Sequence, residues 1–349
     1  MSFSDKILDW YQQNKRNLPW RGTINPYNIW LSEIILQQTR VAQGTPYYLK
    51  FIEAFPTVED MAKASEAQIL KLWQGLGYYS RARNLHATAK MVVADYGGKF
   101  PSTYKELLKL KGVGDYTASA IASICFNERQ AVVDGNVYRV LARYFGIDIP
   151  INSTEGVKHF KSLAQELLHE SNVRDYNQGI MEFGAIQCAP KKPYCLHCPL
   201  NNGCVALKEG KVDLLPLKLK KTKVRNRYFN YLVPILNDKK GNTQTILRQR
   251  QGKGIWQHLW EFPLLESESE LNLEQIEKEY QQVLDLNEKV NITLFNTKSV
   301  VHKLSHQHLN TKFWILEGNL RSEEGISITE IKKFPVPVLI ADFMKTFKF

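Results

Sequence analysis

Four of the chain's five cysteines fall within seventeen residues: Cys188, Cys195, Cys198 and Cys204, in the spacing C-x6-C-x2-C-x5-C. Met1–Trp20 reads as an amphipathic helix with no apolar signal-peptide core, so a secreted disulfide framework is not expected. Four thiolates this close point instead to one metal centre in a reducing compartment. A zinc ribbon usually shows two C-x2-C pairs separated by a longer loop. One C-x2-C flanked by lone cysteines suits a four-thiolate iron–sulfur cluster better, although spacing alone leaves zinc open. Either group uses all four thiolates, so the loop 188–204 reads as structural, with electron transfer as the functional alternative. The interleaved Lys191, Lys192 and His197 favour a loop that faces an anion. Cys125 stands apart in the apolar run Ala118–Phe126 and reads as a core residue.

At 349 residues the chain is too long for one ordinary core, and two domains are expected. Apolar residues recur at helical spacing through residues 4–215, in Ile29–Val41, Leu85–Val93, Ala118–Ile124 and Val137–Phe145 among others. From about Tyr228 the pattern becomes strand-like, in Tyr231–Leu236, Thr243–Arg248, Asn291–Phe295, Lys298–Leu304 and Thr311–Glu317. Helices are expected near Leu271–Leu286 and over Val338–Phe347. The expected architecture is an all-α domain (1–215) followed by an α+β domain (228–349), joined by a linker over 216–227. That linker holds six of the 46 Lys and Arg and no acid, so the remaining 40 face 35 Asp and Glu within a net +11. A basic balance favours a polyanion, most often nucleic acid, although charged linkers are also simply solvated. No apolar stretch approaches the roughly 18–20 residues of a membrane span, which argues against a membrane protein.

Three local patterns carry chemistry. Leu107–Ala118 reads as a helix, a tight Gly112-Val113-Gly114 turn and a second helix, together a helix–hairpin–helix over about 107–126. Such a turn aims backbone amides at a DNA phosphate without reading sequence, though many helix–helix turns contain glycine. Glu33 is the only ionisable residue of Ile29–Leu36, a segment apolar nearly all round and expected to be buried. Burial raises a carboxyl toward the range of a general acid; the plainer alternative is a structural Glu bonded to Gln37 or paired with Arg40. Asp134 precedes the helix Val137–Phe145, where it reads as an N-cap or as a carboxylate projected into a cleft. An acid plus a second carboxylate is the pair that glycosidic cleavage requires.

Taken together, these residues resemble the helix–hairpin–helix DNA glycosylase superfamily, and finer strings resemble its MutY-type adenine DNA glycosylases. The strings are Leu18-Pro19-Trp20-Arg21, Trp30-Leu31-Ser32-Glu33, Leu36-Gln37-Gln38-Thr39, Gly75–Leu85 and Val133-Asp134-Gly135-Asn136-Val137. The resemblance implies one 4Fe-4S cluster on Cys188, Cys195, Cys198 and Cys204, and Gly112 and Gly114 on DNA phosphate. It implies Glu33 as the acid protonating adenine N7 and Asp134 as the anion stabilising the sugar cation, assisted by Tyr116 and Asn136. Trp20, Arg21 and Gln178 match the adenine pocket, and Gln38, Thr39, Leu76 and Tyr78 the residues that wedge into the duplex. Endonuclease III-type relatives carry a strand-cutting lysine where this chain has Tyr116, so a monofunctional enzyme leaving an abasic site is implied. The implied partner is double-stranded DNA with 8-oxoguanine·adenine or guanine·adenine mispairs, handled by a cytoplasmic monomer, nucleoid-associated if bacterial.

The second half resembles the Nudix-like domain of the same family, through Gly254-Ile255-Trp256-Gln257-His258-Leu259-Trp260-Glu261-Phe262-Pro263. Its acidic helix lacks the Arg-Glu and Glu-Glu arrangement that holds Mg²⁺, so pyrophosphate hydrolysis is not expected. Ser305 and His306 match the family's 8-oxoguanine readers, in Leu304-Ser305-His306 where many relatives have Phe-Ser-His. Without that resemblance, His302, His306 and His308 read as ordinary surface histidines. No cysteine lies in 216–227, so no zinc is expected there.

Overall fold

A computed structural model describes residues 2–219, 224–284, 290–318 and 322–349. The chain forms two compact units. One comprises Met1–Ala64 with Asn84–Lys220, the other Ser65–Arg83 with Lys221–Phe349.

The first unit is helical, as its periodicity leads one to expect. Helix Pro26–Leu36 starts where Asn25 accepts a bond from the Tyr27 amide and Pro26 takes the first turn. Every residue from Ile29 to Ile35 is buried, which explains why its sequence shows no polar face. Helix Asp115–Phe126, buried from Thr117 to Cys125, is the second half of the expected hairpin, after the short helix Tyr104–Leu107. Gly112 turns the chain at φ +75°, and a Cβ there would come within 2.7 Å of Asn84. Only glycine fits. Asp134 caps helix Gly135–Phe145, accepting bonds from the amides of Asn136 and Val137. Helix Val173–Ile186 crosses close by: a Cβ on Gly184 would meet Asn136 at 2.7 Å.

The second unit is built round a mixed sheet. Strand Arg225–Pro234 runs parallel to Gln307–Glu317 over its whole length and antiparallel to Leu264–Ser267. Asn291–Leu294 and Val300–Lys303 pair antiparallel with Gln307–Glu317. Both faces of the central pair are covered. Tyr231 and its register partner Phe313 stack at 5.5 Å, and Phe313 stacks on Phe343 of helix Val338–Thr346 at 4.1 Å. Leu232, Trp314 and Leu316 pack on the other side with Ile276 and Tyr280, from helix Leu273–Glu279 and the short turn after it. Of the basic stretch read as a linker, Arg225–Arg227 open the central strand, where Arg227 grips Glu266 with two bonds of 2.6 Å. Residues 220–223 of that stretch, and 285–286 of the expected helix near Leu271–Leu286, lie outside the described residues.

Candidate active site

In the helical unit a cavity of about 170 Å³ brings together Trp20, Arg21, Glu33, Thr39, Tyr116, Asp134, Asn136 and Gln178. Residues from five parts of the chain thus share one small space. Thr39, grouped with the duplex wedge in the sequence reading, lines this cavity; its neighbour Gln38 does not, and sits at φ +56°.

The two carboxyls differ in their partners. Glu33 accepts one bond, from the Tyr116 hydroxyl at 2.6 Å, while Gln37 reaches Thr117 instead. Burial drives its pKa upward, only partly opposed by that bond and by Arg21, and Asp134 pushes the same way. Tyr116 is itself raised well above its ordinary value, first by burial and then by Glu33 and Asp134, so it stays a donor. Asp134 is also raised by burial, but against three N–H donors: the Asn136 and Val137 amides at 2.8 Å and the Asn136 side chain at 2.6 Å. The cap and the cleft readings of Asp134 are therefore one geometry.

A third carboxyl, Glu182, was not legible in the sequence. It is fully buried and holds Arg16 at 2.6 and 2.8 Å and Arg21 at 3.1 Å. Burial acts to raise it, yet Arg16 and Arg21 outweigh that and its pKa lies below the ordinary value. Arg21 also donates to Tyr11, whose hydroxyl in turn bonds Gln178. Two glutamates lining one cavity are thus pushed in opposite directions. Glu182→Ala would strand two guanidinium groups, and a loss of roughly 3 kcal/mol is expected in chemical denaturation. A loss below about 1 kcal/mol would mean that Arg16 and Arg21 simply turn to solvent.

Behind Asn136, Arg139 donates to the Asn136 side chain at 2.9 Å, to the Gly184 carbonyl at 2.6 Å and to the Cys188 carbonyl at 2.7 Å. Arg143 continues to the carbonyls of Ala189 and Pro190 and to the Cys188 sulfur at 3.5 Å. Among the described residues, no three His, Cys, Asp or Glu side chains converge as a single ion would require. All four cysteines line a cavity of about 30 Å³ with Arg143, a donor set whose chemistry fits a four-thiolate metal centre. Cys125 is buried, its thiol pushed up to about 12 by desolvation, and behaves as core.

The hairpin glycines line none of the three cavities described in this section. Asp115, first residue of the helix after Gly114, is held by the Tyr104 hydroxyl at 2.6 Å and by Lys161 at 3.1 Å. In the second unit, a cavity of about 350 Å³ gathers Leu76, Tyr78, Arg83, Trp256, Leu304, Ser305 and His306. The Tyr78 and Ser305 hydroxyls bond each other there.

A family model described as "HhH-GPD superfamily base excision DNA repair protein" matches residues 31–166, and a NUDIX domain model matches 235–346. The adenine DNA glycosylase of Buchnera aphidicola subsp. Baizongia pistaciae is 35% identical over 318 residues, covering 90% of this chain and 86% of that protein. The chain belongs to the adenine DNA glycosylase family. The Homo sapiens adenine DNA glycosylase is 44% identical over 214 residues, 59% of this chain and 39% of its own length. A thermostable thymine-DNA glycosylase shares 36% identity at a TM-score of 0.55, covering 59% of this chain and 95% of that one. The glycosylase accordingly removes adenine in base excision repair, on a helical fold followed by a Nudix-like domain. No helix among its described residues is long and apolar enough to cross a membrane.

Proposed function

We propose that the enzyme is a monofunctional glycosylase that hydrolyses the N-glycosidic bond of adenine opposite 8-oxoguanine or guanine in double-stranded DNA, leaving an abasic site. The observation that carries this reading is the pairing of Glu33 and Asp134 on one cavity. The adenine must leave the base stack to reach it, since its glycosidic bond is covered in the duplex. Trp20, Arg21 and Gln178 line the space for the base. Tyr116 donates to one Glu33 oxygen, which leaves the other to carry the proton to adenine N7. Protonation makes the base a neutral leaving group, and Asp134, whose three N–H donors oppose the upward pull of burial on its carboxyl, steadies the oxocarbenium-like sugar. Asn136 orients Asp134. Water then completes the hydrolysis. The cavity wall contains no lysine, so no amine is at hand for a Schiff base and strand cleavage.

Cys188, Cys195, Cys198 and Cys204 would hold one 4Fe-4S cluster, whose contribution is to fix the loop 188–204. Gly112 and Gly114 hold a DNA phosphate, with Gln38, Leu76 and Tyr78 wedged into the duplex. Ser305 and His306, in the second unit's cavity, read 8-oxoguanine. The test is excision from an 8-oxoguanine·adenine duplex, with strand cleavage scored with and without alkali. Abasic sites that break only in alkali are expected; breakage without alkali, trapped by borohydride, would identify a lyase. Replacing both Ser305 and His306 with Ala should lower the preference for 8-oxoguanine over guanine opposite adenine by about tenfold, the worth of one or two polar contacts. An unchanged ratio of single-turnover rates would remove these residues from the assignment.

A further inference from the structure

The loop Gly252–His258 has an unusual backbone. Gly252, Gly254, Trp256 and His258 all lie at positive φ, at +80°, +145°, +58° and +65°. Two glycines adopt this freely, but a tryptophan there is an outlier that surrounding structure must enforce. The enforcing bonds are present. Arg83 donates to the Gln257 carbonyl at 2.9 Å, and His258 Nδ1 meets Glu66 at 2.5 Å. The His258 amide bonds the Arg250 carbonyl, and the Gln249 side chain bonds the His258 carbonyl. Held this way, Trp256 packs against Phe229 and His302 at 6.1 and 5.7 Å and lines the 350 Å³ cavity. In the same lining, the Leu304 amide closes a tight turn onto the Gln307 carbonyl at 2.8 Å, with Ser305 and His306 at its tip. Leu304 offers the cavity a branched aliphatic chain without a flat face.

We propose that Trp256 is a specificity-determining residue of this cavity: its indole supplies the aromatic surface that Leu304 does not. The assignment rests on reading the cavity as the 8-oxoguanine site. A planar purine gains from a ring beside it, because stacking needs only a π-face and no particular hydrogen-bond edge. In a wall that is mostly apolar, with hydroxyl and imidazole groups and the cationic Arg83 and Lys303, orientation falls to Ser305 and His306. The strained backbone at Trp256 is thereby connected to recognition.

The experiment measures single-turnover adenine excision opposite 8-oxoguanine and opposite guanine by the full chain, and takes the ratio of the two rates. Trp256→Leu should lower this ratio about tenfold, within what one base–ring stack contributes. The double variant Trp256→Leu with Leu304→Phe moves the ring to another lining position of the same cavity and should recover most of it. A ratio unchanged in Trp256→Leu, or unrecovered in the double variant, overturns the proposal, since a merely structural tryptophan would not be replaced by a ring at 304. Circular dichroism and thermal melting check the fold. If Trp256→Leu does not fold, Trp256→Met, which refills the gap without a ring, takes its place with the same expected drop. Ser305→Ala separates the two levels. A drop in Ser305→Ala with none in Trp256→Leu leaves the cavity's reading standing and removes Trp256. No drop in either removes both.

Discussion

Replacing Glu33 with glutamine is expected to lower adenine excision by about 10²–10⁴-fold while duplex binding persists, the range a positioned general acid contributes. Glutamine keeps the shape and can still accept the Tyr116 bond, so the loss isolates the proton. Near-wild-type excision would refute the role. The same substitution carries a stability signature. Burial holds the folded-state pKa of Glu33 above its unfolded value, so its contribution to stability is complete at acid pH and is lost as pH rises through the folded value. Glu33→Gln should therefore melt like the wild type in acid and above it at neutral and alkaline pH. Wild-type excision should fall along the same alkaline limb as the acid loses its proton. A flat alkaline profile would mean that Glu33 is not the group that titrates.

Asp134→Asn separates a cap from a catalyst. Asparagine is as good an N-cap as aspartate, and its oxygen can still accept from the Asn136 and Val137 amides. The Asn136 side-chain N–H loses its acceptor on the other oxygen, so stability should fall by about 1–2 kcal/mol and no more. Excision should nonetheless fall by at least about 10²–10³-fold, because the charge opposite the developing sugar cation is gone. If Asp134 were a cap alone, the variant would excise adenine at close to the wild-type rate. A fall in stability beyond that margin would leave structure as the cause, so both are measured on one preparation.

Much of this was legible in the residue order because it is written locally. A buried Glu in an apolar helix, a glycine turn before a helix and four crowded cysteines each lie within a short window. The helical half and the five expected strands followed from their periods, with strand ends shifted by up to six residues, whereas Leu264–Ser267, which pairs with the central strand, was not among them. What escaped the sequence depends on distance. Glu182 meets Arg16 across 166 residues, and nothing near Glu182 marks it as the anion of the cavity. The parallel pairing of Arg225–Pro234 with Gln307–Glu317 leaves little trace in alternation, since both faces are buried over Phe229–Pro234 and Phe313–Leu316. The packing of Ser65–Arg83 with the C-terminal residues is likewise a tertiary choice. The strain at Trp256 is invisible in composition, because a tryptophan at positive φ is set by the bonds of its neighbours.

The central claim is that Glu33 delivers a proton to the purine's N7. Its most direct test is a duplex carrying 7-deazaadenine opposite 8-oxoguanine, which removes the proton's destination and leaves the rest of the base in place. The enzyme should bind this duplex and fail to release the base over times in which adenine is fully excised. Release at a rate comparable to adenine would contradict the account.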